Sequence, residues 1–137
     1  MAETLKLEIV TPDGTVYSDD VEMVTLPGVE GQMGIYPRHV PLMTQMVPGE
    51  ITVRKTGADY FLAIGEGLIE ITGDHVKILT DMAIAAEHID EAKAEEARRR
   101  AEARLQEKLS DEEVASTNSA LTRSLAQLHV KRRHLQR

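Results

Sequence analysis

The 137-residue chain has no cysteine, no tryptophan and a single phenylalanine. Without thiols, disulfides, zinc–thiolate centres and thiol catalysis are all excluded, and the composition fits a reducing compartment. Aromatic residues make up 3% of the chain against 42% hydrophobic, so the core is expected to be aliphatic and stacking on bases or sugars has little to draw on. No run of about 18 apolar residues is present, so no helix is expected to cross a bilayer. The opening Met1-Ala2-Glu3-Thr4-Leu5-Lys6 lacks the basic and apolar segments of a secretory signal. The expectation is a soluble protein that reaches a membrane only through a partner.

A further absence is local. Residues 1–86 carry 5 Lys/Arg against 13 Asp/Glu and residues 87–113 carry 6 against 10, whereas residues 114–137 carry 5 basic groups and no acid. A segment with only positive charge implies an acidic partner, whether a protein patch, a phosphate or nucleic acid. The plainer alternative is a solvated helix end, since cations also suit a helix C-terminus. Nucleic acid is the least expected partner, because the acidic remainder would repel its backbone.

Enzyme signatures are missing too. There is no nucleophile elbow, no phosphate-binding glycine loop and no paired His/Asp metal spacing. Glu66, Asp81 and His39 form an acid–base cluster only if the fold brings them together, and His75 reads as a turn residue. The expectation is a non-enzyme without a catalytic or metal site.

What is present falls into two periods. Leu5-Lys6-Leu7-Glu8-Ile9 alternates as a half-buried strand does, and Thr11-Pro12-Asp13-Gly14 is a strong turn. Val16–Ser18, Val21–Leu26, Ile51–Lys55, Tyr60–Ile64, Leu68–Ile71 and Val76–Thr80 continue the series. Short strands at this spacing read as a β-sandwich or barrel over residues 1–86. Gly65 and Gly67, flanking Glu66, suggest a bulge or a close backbone approach.

From about residue 87 the period becomes helical. Asp90 is placed to cap a first helix, on which Ala94, Ala97, Ala101, Leu105 and Leu109 form one narrow stripe. Ser110-Asp111-Glu112-Glu113 has the capping-box form and opens a second helix. There Val114, Leu121, Leu128 and Leu135 recur every seven residues, with Leu125 expected to fill the seam. Residues 87–137 thus read as an antiparallel two-helix hairpin of about 20 residues per helix, each about 30 Å long. A seam of alanines against a few leucines buries little, so the hairpin should need a surface to dock on and is suited to being a moving part.

Between the strand-like runs lies Gly31–Thr44, G-Q-M-G-I-Y-P-R-H-V-P-L-M-T, which reads as one long loop rich in apolar residues. Apolar and polar groups presented together on a loop mark a docking surface.

A sandwich followed by a helical hairpin, carrying V-T-P-D-G-T-V-Y-S-D-D-V-E-M-V (10–24), E-G-Q-M-G-I-Y-P-R-H-V-P-L-M-T (30–44), G-E-G-L-I-E-I (65–71) and H-I-D-E-A-K-A-E-E-A (88–97), resembles the epsilon subunit of bacterial F-type ATP synthase. The resemblance covers essentially the whole chain. It implies a non-catalytic rotor subunit that couples proton translocation to ATP synthesis. The sandwich is implied to sit beside gamma and against the polar loops of the c-ring, with Gln32, Tyr36, Arg38 and His39 in contact. Family members often carry Glu at the position of Gln32, so an ionic contact would become a neutral hydrogen bond here. The hairpin is implied to extend and block ATP hydrolysis against the alpha and beta subunits through Arg123, Lys131, Arg132 and Arg133. The implied location is peripheral, on the cytoplasmic face of the bacterial inner membrane.

Some relatives hold a regulatory ATP at the hinge through I/L-D-x-x-R-A. Ile89, Asp90, Lys93 and Ala94 match except for Lys93 in place of Arg, and Ile84 stands where ATP-binding relatives place Glu. Lys offers a point charge where Arg offers a fork of donors. Arg100 is the nearest further phosphate partner, within an Arg98-Arg99-Arg100 run that reads as a solvated face. No cofactor is expected to be required, and ATP is expected to bind weakly or not at all. The alternative to a stalk subunit is a free-standing coiled-coil adaptor, which predicts self-association through the leucine seam.

Overall fold

A computed structural model describes residues 3–135, with side-chain surroundings through His134. Arg137, and the side chain of Leu135 from the expected heptad, lie outside the described residues.

Ten strands make one curled sheet: β1 (Leu5–Thr11), β2 (Gly14–Val21), β3 (Met23–Gly28), β4 (Gly31–Ile35), β5 (Leu42–Met46), β6 (Gly49–Lys55), β7 (Ala58–Ile64), β8 (Gly67–Thr72), β9 (His75–Thr80) and β10 (Ala83–Ala85). The order is β10-β7-β6-β3-β5-β8-β9-β1-β2, with β4 paired to β3. Pairings are antiparallel except β1 with β9, which is parallel. Alternation places Leu5, Leu7 and Ile9 inward with Val24, Leu26, Ile51, Val53, Ile69, Ile71 and Ile78, all essentially buried. The core is aliphatic, as the composition requires.

Gly31–Thr44 is not one loop. Gly31 adopts φ 126, a conformation that side chains resist, and closes a two-residue turn so that β4 folds back on β3 in the register Gly28↔Gly31, Leu26↔Met33, Val24↔Ile35. Leu42–Met46 then pairs with β8. Only Tyr36–Pro41 remains without strand structure. The apolar residues of this stretch are there largely because it is sheet.

Gly65 and Gly67 are both sites of close approach. A Cβ on Gly67 would fall on the Leu79 carbonyl, and one on Gly65 would fall on the Asp81 carboxylate.

The sheet leads through a 3-10 turn (Ala86–His88) into α1 (Glu91–Leu105) and α2 (Asp111–Leu135). The Asp90 carboxylate accepts from the Lys93 amide at 3.1 Å. Ser110 and Glu113 exchange reciprocal bonds, each 3.2 Å, which completes the capping box. Ala94 and Ala101 are buried in the α1 stripe. The seam of α2 differs from expectation. Leu128 is buried, but Leu125 is 45% exposed and Val114 is exposed. Docking on the sheet explains this: α2 turns Ala126 and Val130 toward Ala63, Met82 and Ile89, which leaves Leu125 off that contact.

Candidate functional site

Two regions carry the residues singled out from the sequence: the end of the sheet around Tyr36–Pro41, and the contact between α2 and the sheet.

At the sheet end, Arg38 sits at φ 66, unusual for a residue with a side chain. Its amide donates to Asp74 Oδ1 at 2.8 Å and its guanidinium pairs with Glu3. The first bond ties the 36–41 segment to the β8–β9 turn, and the second ties it to the residues just before β1. His39 donates from Nδ1 to the Val40 carbonyl at 2.7 Å, so its proton serves its own loop. Tyr36, Val40 and Met43 are 60–70% exposed. Leu68 and Leu79 lie opposite each other across β8 and β9, and both also face solvent. Leu68 and Leu79 stand at the other end of the β8–β9 hairpin from Asp74, with Glu70 and Lys77 paired between, so exposed apolar side chains occur along these strands as well as on the adjoining loop.

Gln32 does not share the loop with Tyr36, Arg38 and His39. It lies near the far end of β4, about 13 Å away at strand spacing. There it borders a groove of about 510 Å³ whose other wall is α2, at Thr122, Leu125 and His129.

The four basic residues of α2 are all engaged within the chain. Arg123 Nη1 reaches Asp81 Oδ2 at 3.0 Å. The Lys131 ammonium donates to the Ala86 carbonyl at 3.3 Å. Arg132 bridges Glu91 and Glu95, both at 2.9 Å, and so ties α2 to α1. Arg133 meets Glu50 Oε2 at 2.6 Å. Charge pattern points to these residues, but nothing in it reveals their partners, which lie 37 to 83 residues away. Arg98 and Arg132 together hold the Glu95 carboxyl well below its ordinary value of 4.5, down to about 2.

The residues of the hinge motif have structural occupations. Ile89 is buried in the small core under α2, and Ala94 is buried on α1. Asp90 caps α1, and Arg100 pairs with Glu96 at 2.9 Å. A cleft of about 620 Å³ beside the hinge is lined instead by Tyr17, Lys55, Tyr60, Phe61, Glu87 and Lys131, among others. As for an acid–base cluster, the Asp81 carboxylate is taken by Arg123, while His39 belongs to the 36–41 segment. Among the described residues no group of three or more His, Cys, Asp or Glu is arranged to hold a metal. No helix of the described chain is long and apolar enough to cross a membrane.

Two family models match end to end: the beta-sandwich domain of the ATP synthase Delta/Epsilon chain over residues 4–86, and its long alpha-helix domain over residues 87–132. The chain belongs to the ATP synthase epsilon family. Its similarity to the ATP synthase epsilon chain of Herpetosiphon aurantiacus is 43% identity over 126 residues, covering 92% of this chain and 93% of that one. For the ATP synthase epsilon chain of Bacillus licheniformis it is 39% over 130 residues, covering 95% and 99%. In fold, it resembles a chain of the Euglena gracilis mitochondrial ATP synthase, with TM-score 0.73, 23% identity and coverage of 92% and 79%. A chain from the central stalk and c-ring of the Tetrahymena thermophila enzyme gives TM-score 0.65 at 10% identity, with coverage of 94% and 97%. An epsilon chain is a non-catalytic subunit of ATP synthase, in keeping with the missing enzyme signatures.

Proposed function

We propose that this epsilon chain is a central-stalk subunit that couples proton translocation to ATP synthesis and restrains ATP hydrolysis through its C-terminal helices. The sandwich is the docking foot. Tyr36, Val40, Leu42, Met43, Leu68 and Leu79 offer apolar area to gamma, and the Gln32 and Arg38–His39 ends of β4 and its loop offer polar contacts to the c-ring. Arg38 and His39 are held by bonds within the chain, so their backbone reaches a partner already ordered. Such a subunit is peripheral, at the cytoplasmic face of the bacterial inner membrane.

The observation that carries the regulatory half is the state of Arg123, Lys131, Arg132 and Arg133. Each has an acceptor of its own chain while α2 is docked, and an outside acid must compete with it. Once α2 leaves both the sheet and α1, to which Arg132 is tied, all four become available to an acidic surface of the alpha and beta subunits. Charge of one sign then guides docking and orientation more than it adds affinity. No cofactor is required. ATP at the hinge is a weak regulator at best, since Ile89, Asp90 and Ala94 are already committed to packing and capping.

Truncation after Ala86 tests this reading. The main core is built from residues 5–78, so the sandwich keeps its interior and β10 is retained. The truncated chain should still bind gamma in a reconstituted catalytic complex and should no longer lower its ATPase rate. Undiminished inhibition would remove the hairpin from the mechanism.

A further inference from the structure

Glu50 is the only acid among the buried residues described, and it stands on the sheet beneath the end of α2. It lies on β6 opposite Ala63 of β7, with its side chain 7% exposed. Both of its oxygens are used. Oε2 accepts from Arg133 at 2.6 Å, and Oε1 accepts from His134 Nε2. The imidazole of His134 is itself nearly buried and stacks on Phe61, with ring centroids 3.7 Å apart and planes 18° from parallel. Among the described residues, the partners of the carboxylate are consecutive residues of the last turns of α2, and no cation of the sheet pairs with it.

We propose that Glu50 is an internal competitor for the acidic partner of α2: a carboxylate that occupies Arg133 and His134 and thereby keeps the helix end docked and out of reach. The inference rests on reading α2 as a releasable element. The physical reason lies in the burial of the carboxylate. Desolvating Glu50 cancels much of its attraction to the half-exposed Arg133 guanidinium, so the pair adds little net stability when intact. Removing the cation is costly while α2 stays docked, because the carboxylate is left buried and unmatched. Such a contact selects one docked position without making it irreversible. His134 adds to this balance, since its Nδ1 is buried with no hydrogen-bond partner, a deficit that undocking relieves. An acidic surface that meets Arg133 and His134 in water therefore has only a finely balanced pair to displace. The apolar contacts of Ala126 and Val130 hold the rest of the helix independently.

The test uses the full chain with Glu50→Gln, Arg133→Gln and the two combined, followed by amide hydrogen exchange along α2. Each single change should speed exchange of the α2 amides about ten- to a hundredfold, the scale of a lost charge-assisted hydrogen bond. The double variant should exchange no faster than the faster single one, because both changes break the same contact. Protection of β1, β6 and β9 should stay unchanged, which shows that the sandwich remains folded. Unchanged α2 exchange in Glu50→Gln would overturn the proposal, and so would strictly additive effects in the double variant. ATPase inhibition by Glu50→Gln in the reconstituted complex separates the two readings. Faster exchange with stronger inhibition supports both. Faster exchange with no change in inhibition keeps the latch and removes the inhibitory role.

Discussion

The carboxylate of Asp81 lies across the backbone of Gly65 and receives the Arg123 guanidinium at 3.0 Å. Its two oxygens have separate places: Oδ1 occupies the space where a Gly65 side chain would stand, and Oδ2 holds α2. A glycine in the link between β7 and β8 therefore makes room for an acid that anchors a helix 42 residues further along. Neighbouring Gly67 answers a different need, because a Cβ there would strike the Leu79 backbone carbonyl.

The two glycines should consequently fail differently when changed to alanine. Gly65→Ala displaces a side chain that can swing away, so the sandwich should stay folded while α2 loses Arg123 and its amides exchange faster. Gly67→Ala meets backbone and should destabilise the sandwich itself by about 1–3 kcal/mol, the usual cost of overpacking. Denaturant melts of the full chain, followed by exchange on the α2 amides, tell the two apart. Equal effects on both readouts would refute the distinction.

Acid should loosen the joint between the helices before it unfolds the sheet. Glu95 is held down to about 2 by Arg98 and Arg132, against an ordinary value of 4.5. A depressed carboxylate stabilises the fold fully above its unfolded value and loses that contribution as pH falls toward the folded one. The α1–α2 contact should therefore be constant from neutrality to about pH 5 and weaken between 4.5 and 2. Helix signal followed by circular dichroism should show this slope, and Glu95→Gln should flatten it. A slope unaltered by the substitution would assign the acid sensitivity elsewhere.

Val130 is wholly buried between α2 and the sheet, among side chains as small as Ala63 and Ala126. Val130→Asp should undock α2 in the isolated chain, because an unpaired carboxylate cannot remain in that contact. If docked α2 is the silent state, this variant should inhibit ATP hydrolysis in the complex more strongly than wild type. Weaker inhibition would mean that release alone is insufficient.

Lys93 should decide how well the hinge holds ATP. Lys93→Arg restores a planar fork of donors, so the variant should bind ATP more tightly than wild type, by about tenfold if one charge-assisted hydrogen bond is gained. Calorimetry on the full chain measures this directly. Identical titrations for the two proteins would show that Ile89, Asp90 and Ala94 remain committed to packing whatever residue stands at 93.

Much of the architecture is legible in the chain because its signals are local. Alternation in Leu5–Ile9, the cap at Asp90 and the Ser110–Glu113 box each rest on residues no more than four apart, and the structure contains all three. The Gly31–Thr44 stretch reads as one loop because its strands are short and its glycines and prolines imitate loop chemistry. Only pairing with β3 and β8 reveals β4 and β5. Leu125 falls outside its expected seam for a related reason: a heptad describes one partner, whereas α2 has two, α1 and the sheet.

Residue order by itself determined where most strands and both helices lie, which residues make an aliphatic core and which end is basic, since backbone hydrogen bonding and side-chain period act over a few residues; β4, β5 and β10 were not among them. Only the tertiary structure decided that Arg123 meets Asp81, that Arg133 and His134 converge on Glu50, and that β1 lies parallel to β9. Those choices depend on chain closure across tens of residues, and on which of many acids is buried where a cation arrives. No local pattern encodes either.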